Sequence, residues 1–207
     1  WAIPAFVTTI AVNVWGALSD RSGLRKPFMI VGFVGYASTF LMYSQVADAT
    51  QYLLVACFGA VTGSAAVPVG QAYVTTKTET RGEMLGYLIV AQSAGWSIGA
   101  LASGFLYDII GMRILYVTAA SLSALATLSC VLLVPEARIE TAAGVKRIKS
   151  AAVLRRPGMP RLIMAVALSA IGNNAISYML MIMVVDELGG TESMVGLANF
   201  VATLLAV

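Results

Sequence analysis

The chain has 207 residues, 59% of them hydrophobic and 11% charged, with a net charge of +3 and no histidine. A soluble domain carries about a quarter charged residues, so this composition and a mean hydropathy of +0.86 point to lipid rather than water. Two isolated cysteines and no histidine argue against a His- or thiolate-based metal site, and Cys57 and Cys130 both fall in apolar runs, where they read as small buried apolar residues.

Seven apolar runs follow one another at residues 1–16, 27–46, 51–75, 84–106, 113–134, 161–185 and 193–207. About 20 apolar residues cross a bilayer as a helix. Lipid leaves no water to satisfy an open backbone, so helices rather than strands follow, and the expected fold class is an all-α membrane protein. Numbered in order, the odd loops carry Arg21, Arg25, Lys26, Lys77, Arg81 and the seven basic residues from Arg138 to Arg161, whereas the even loops carry Arg113 alone. That alternation places the loops at 17–27, 76–83 and 135–160 in the cytoplasm of a multi-pass inner-membrane protein. It also explains the positive charge without a nucleic-acid partner. The acids Asp48, Asp108, Asp186, Glu187 and Glu192 lie in even loops, which the rule permits. Trp1 and Val207 both sit inside apolar runs, so the sequence reads as an excerpt of a longer chain.

The first loop, Gly16-Ala17-Leu18-Ser19-Asp20-Arg21-Ser22-Gly23-Leu24-Arg25-Lys26-Pro27, is a charged hairpin punctuated by glycine. Asp20 is a carboxylate suited to a helix N-terminus. Arg21, Arg25 and Lys26 can pair with it and with anionic headgroups. Gly23 permits a positive φ in a tight turn, and Gly16 lets a neighbouring helix pass closely. The run at 51–75 carries Gly59, Gly63, Ser64, Ala65, Ala66 and Gly70 on a nearly bare face. Its Pro68 leaves the Ser64 carbonyl without a helical donor and bends the span. This face reads as a packing surface with a kink or as a dedicated part of the substrate path. In the run at 84–106, Gly95, Gly99 and Ser103 recur every four residues with Gly104 adjacent, the spacing for close helix approach.

The ordered string from Gly16 to Gly23 resembles the loop between the second and third spans of the major facilitator superfamily of secondary transporters, with Leu24 where the family often has Arg. Gly95-Trp96-Ser97-Ile98-Gly99-Ala100-Leu101-Ala102-Ser103-Gly104 is similar to the fifth-span motif of the family's antiporters, Gly-x-x-x-Gly-Pro-x-x-Gly-Gly, with Ala100 for the Pro and Ser103 for one Gly. Arg81-Gly82 resembles the basic turn between the fourth and fifth spans, and Gly111-Met112-Arg113 stands where a Gly-Trp-Arg often opens the sixth. The resemblance implies a helical bundle covering the second through part of the eighth of twelve spans. Residues 1–134 are then the rest of the N-terminal half, residues 135–160 the cytoplasmic connector, and residues 161–207 the start of the C-terminal half. Within the connector, Val145, Ile148 and Ala152 beside Lys146, Arg147 and Lys149 fit a surface helix as well as a plain linker. The hairpin is implied to be a latch that holds the cytoplasmic side shut in one state.

No Asp, Glu, Lys or Arg stands in the middle of a visible run, so an intramembrane proton relay or charged-substrate site would lie outside this sequence. The substrate-cavity candidates are uncharged: Gln92 and Trp96, four apart on one face, and Asn173, Asn174 and Tyr178. An Asn pair in hydrocarbon needs partners or water; interhelical hydrogen bonds and a cavity lining both provide them. Gln71 and Tyr73, nearer the cytoplasmic end, read as interhelical. The expected function is alternating-access transport of a small molecule, driven by protons or another coupling ion, with no cofactor. Efflux of a neutral or amphipathic molecule is preferred, and coupled import of a nutrient such as a sugar or organic acid is the alternative. A seven-helix receptor is more remote. An intramembrane enzyme would need a nucleophile with a base, or a metal cluster, and the sequence offers neither. Single cysteines at Ser22 and Ser150 of the intact protein should label only from the cytoplasm and one at Ala49 only from outside; reversed labelling overturns the orientation.

Overall fold

The computed structural model describes residues 2–76, 80–136 and 158–205. Helices α1 (Ala2–Ser22), α2 (Lys26–Tyr43), α3 (Ala49–Gly63) and α4 (Ala66–Thr76) come first. Arg81–Leu133 is helical throughout except at Gly111, where φ is 72° and ψ 166°. That corner divides it into α5, residues 81–110, and α6, residues 112–133. α7 (Met159–Ile182) passes through a π turn at Met183–Glu187 into the short link before α8 (Glu192–Leu205). Ala2–Ser22, Ala49–Thr75 and Arg81–Leu133 are each long and apolar enough to cross a membrane. Large apolar side chains such as Ile109 and Leu133, both 78% exposed, cover outer faces that only lipid or further helices could accept.

The expected runs all form helices, but the turns are tighter than the sequence indicates. α1 continues through Ser22, so only Gly23, Leu24 and Arg25 form the hairpin loop. The stop is Gly23: its N–H still donates to the Ser19 carbonyl at 3.1 Å, and its φ of 68° then turns the chain away, a left-handed cap that ends a helix abruptly. The loop expected at 107–112 contracts to the single corner at Gly111. The run at 51–75 breaks at Ser64–Ala65, where Pro68 withholds the donor that the Ser64 carbonyl would take. The Ala65 N–H turns to the Thr62 carbonyl at 3.3 Å, and the Trp15 indole of α1 donates to the Val61 carbonyl at 2.6 Å.

Among the described residues, the connection at 44–48 and the Gly111 corner gather at one pole and the hairpin lies at the other. At one pole Tyr43 of α2 stacks between Tyr52 of α3 and Tyr116 of α6, with ring centroids 5.2 and 5.3 Å away. Asp48 caps α3 there by accepting from the Gln51 N–H at 2.8 Å, and Arg113 donates to Gln45 at 3.3 Å. The other pole holds the hairpin and the end of α6.

α2 is the central helix, packed on α3, α4 and α6. It crosses α3 and α4 at backbone distance. A Cβ added at Gly32 would run into the backbone of Ala66; one at Gly35 would stand 2.6 Å from Thr62, one at Gly59 2.7 Å from Thr39, and one at Gly63 2.6 Å from Tyr36. Lipid tails are as apolar as leucine, so helices in a bilayer gain nothing from hiding apolar surface and depend on such intimate contact. Gly32→Leu should therefore lower the thermal midpoint of the purified protein by an amount equivalent to about 1–3 kcal/mol or more. Gly70→Ala, where an added Cβ meets nothing within 4 Å, should leave it unchanged. Equal midpoints for both variants would remove the crossing as the organising contact.

Candidate functional site

The hairpin folds into a corner of buried polar contacts. Because α1 stays helical to Ser22, Ser19 and Asp20 stand on its last turn, beneath the returning chain. Ser19 is fully buried and Arg25 is only 7% exposed. The Arg25 guanidinium pairs with Asp20 at 2.9 Å through Nη2 and donates to Ser19 Oγ at 3.0 Å through Nη1. The Ser19 hydroxyl in turn donates to the Leu24 carbonyl at 2.9 Å, and Ser22 Oγ receives the Leu24 N–H at 3.3 Å. Asp20 thus serves as counter-ion to Arg25 and not as a helix cap, because the unbroken last turn of α1 keeps it on that helix's own face. Arg21 is exposed, and a Cβ at Gly16 would meet nothing within 4 Å.

The cap of α2 comes from far along the chain. Arg25 offers no side-chain cap of its own. Instead the backbone N–H groups of Arg25 and Lys26 both donate to Glu136 Oε1, at 3.1 and 3.3 Å, where the helix dipole favours negative charge. Lys26 Nζ donates to the Val131 carbonyl at the end of α6, at 2.7 Å, and the Tyr73 hydroxyl of α4 donates to the Pro135 carbonyl at 2.9 Å. Beneath them Met29, Val69 and Cys130 form an apolar cluster with Phe28, Phe33 and Val134 around it. Four helix ends are therefore fastened where the chain leaves α6.

The small-residue face of α5 meets α8. A Cβ at Gly196 of α8 would stand 2.8 Å from the Ala100 carbonyl and 3.1 Å from Gly104 Cα, so Gly104, with Ser103 beside it, lies at the crossing. Gly95 and Gly99 have nothing within 4 Å of an added Cβ. Beside this crossing lies a cavity of about 390 Å³ lined by Ser103, Tyr107, Leu115, Val195 and Asn199 among others. Gln92 is half-buried and Trp96 is 76% exposed; neither lines that cavity. Asn173, Asn174 and Tyr178 are on α7, with side chains outside the described residues. Arg81 opens α5, and a Cβ at the following Gly82 would meet nothing within 4 Å. Among the described residues no cluster of three His, Cys, Asp or Glu is arranged to hold a metal.

The sequence profile of the Major Facilitator Superfamily matches residues 1–207. The chain belongs to the major facilitator superfamily. Among curated relatives, an uncharacterized MFS-type transporter of Methanocaldococcus jannaschii is 32% identical over 111 residues, covering 53% of this chain and 28% of that protein. Multidrug resistance protein MdtG of Proteus mirabilis is 31% identical over 125 residues, 59% of this chain and 31% of its own length. The staphyloferrin B transporter of Staphylococcus aureus is 30% identical over 121 residues, 58% and 28% respectively. The matched part thus spans less than a third of each of these relatives. No solved structure matches the chain. Superfamily membership gives the chain a helical-bundle fold and sets it in a family of transporters rather than of enzymes.

Ser19 and Glu136 are the members of the corner that sequence reasoning missed. Ser19 was visible in the hairpin string but has no charge to draw notice. Glu136 is the acid at the exit of α6, on the pole that carries the basic hairpin, and that coincidence was the available signal. Loss of a helix cap costs roughly 0.5–2 kcal/mol. Glu136→Ala should lower the thermal midpoint accordingly and raise the labelling rate of a cysteine at Ser22 several-fold, with Glu136→Gln intermediate. Unchanged midpoint and labelling in Glu136→Ala would remove the cap.

Proposed function

We propose that the chain is part of a secondary transporter that works by alternating access, with a substrate bound near the bilayer midplane between two helical halves that rock against each other. The observation that carries the reading is the Ser19–Asp20–Arg25 corner with its Glu136 cap. The buried Arg25 guanidinium braces the hairpin at one pole and leaves the paired Asp20 side chain 59% exposed, an arrangement that suits a latch between conformations. In this reading residues 1–134 belong to the first half, residues 135–160 link the halves on the cytoplasmic side of the inner membrane, and residues 161–207 begin the second half.

The preferred cargo is a small neutral or amphipathic molecule exported in exchange for protons. Uncharged candidates support it: Gln92, Trp96, Asn173, Asn174 and Tyr178 offer hydrogen bonds and an indole face without a fixed charge. Two of the relatives named above are described as a multidrug resistance protein and a siderophore transporter. The coupling carboxylate would reside outside the visible spans, because none of them carries an acid at mid-depth.

The test uses the intact protein in proteoliposomes under an imposed pH gradient. Efflux of a lipophilic dye should track the gradient and stop when it is collapsed. Asp20→Asn should insert normally yet transport at least tenfold more slowly. Uptake with the gradient, in place of extrusion against it, would favour the nutrient importer, and normal transport by Asp20→Asn would remove the latch assignment.

A further inference from the structure

The pole opposite the charged corner carries a second contact, and it joins different parts of the chain. α8 packs on α5 at the Gly196 crossing, where backbone meets backbone. One turn before Gly196, the Ser193 hydroxyl reaches back across the seam. Its oxygen lies 3.2 Å from the Gly104 carbonyl and 3.1 Å from Asp108 Oδ2, so its single proton is shared between two acceptors on α5. Asp108 is three residues before the Gly111 corner, at the end of α5, and is exposed; Ser193 is half-buried. The cavity lined by Ser103, Tyr107 and Asn199 lies beside the same seam.

We infer that Asp108 and Ser193 form a breakable clasp that holds the α5–α8 seam shut in one state and parts when this pole opens. The inference rests on the alternating-access reading, in which α5 and α8 belong to different halves. Three physical features fit a contact that is made and broken in each cycle. At the crossing glycine on α8 faces alanine and glycine on α5, so at that point no side chains have to unthread when the helices separate. Lipid gives no hydrophobic force to hold two such helices together, so close packing and the polar bond share the closure. Both partners stand near the rim, where water can replace the lost hydrogen bond as the ends part. The corner at Arg25 differs: its guanidinium is buried, and the side chains it holds, Ser19 and Asp20, both belong to the first half.

The contact is testable in the intact protein with Cys57 and Cys130 replaced by Ser. A cysteine pair from Asp108→Cys and Ser193→Cys should crosslink under mild oxidation, abolish transport, and recover with reductant. A separate readout needs no substrate. A probe cysteine from Ser103→Cys, on the cavity wall, should react with a membrane-impermeant maleimide at least threefold faster when either Asp108→Ala or Ser193→Ala is present. The two together should add nothing further, as two ends of one bond require. Ser193→Ala alone suffices should Asp108→Ala fail to insert. Absence of a crosslink, normal transport by the crosslinked protein, or additive gains in labelling would overturn the clasp. Crosslinking and non-additive labelling in a protein that moves no dye would uphold the clasp and count against the efflux reading.

Discussion

A guanidinium that is more than nine-tenths buried has to be neutralised where it stands, and the geometry of one pole of this protein follows from that need. An unpaired buried charge costs several kcal/mol, so Arg25 requires an anion and acceptors within side-chain reach. Asp20 and Ser19 meet the requirement only because α1 remains helical to Ser22 and so presents both on its last turn. The chain must then reverse in three residues, which the left-handed conformation of Gly23 allows. The reversal brings the first N–H groups of α2 to the exit of α6, and there Glu136 accepts two of them. Each step constrains the next, so one buried cation fixes the ends of α1, α2 and α6 together.

Between the poles a different constraint governs. Helices in lipid are not driven together by water, and their association depends on how closely their backbones approach. Glycines and small residues of α2 and of the α3–α4 pair supply that approach at Gly32, Gly35, Gly59 and Gly63. The break between α3 and α4 belongs to the same contact. Gly63 and Ala66, the residues on either side of it, both touch α2, so the kink at Pro68 keeps a single bent span in register with a straight neighbour.

The helical spans were legible from sequence because the bilayer imposes length and hydropathy on every crossing segment. Pro68 was legible as a bend since a missing N–H acts locally. The exact ends of α1 and α5 were not, because polar residues such as Asp20 and Asp108 look like loop but tolerate helix when their charge is satisfied or solvated. Glu136 was hidden for a further reason: its partners lie 110 and 111 residues away, and nothing in the local composition around Pro135 announces them. The small-residue stripe of α5 was visible as a stripe, yet spacing alone does not say which part of it meets a partner. The crossing with α8 uses Ala100 and Gly104, while Gly95 and Gly99 stand clear of the described helices.

The corner and the latch attributed to it are therefore not the same object. Arg25 has its ion pair with Asp20 and its bond with Ser19, and Glu136 is occupied by the backbone N–H groups of Arg25 and Lys26. These contacts brace the hairpin; they do not by themselves tie it to anything beyond residue 136. A latch to the second half has to use what the brace leaves facing outward: the Asp20 side chain, still 59% exposed, and the exposed Arg21. This division of labour gives the pair at Arg25 a definite purpose. With its cation held, the hairpin presents an Asp20 carboxylate of fixed position, so a contact across the halves of the kind proposed would meet a rigid partner, and a substitution at Arg25 would loosen that proposed contact without touching it.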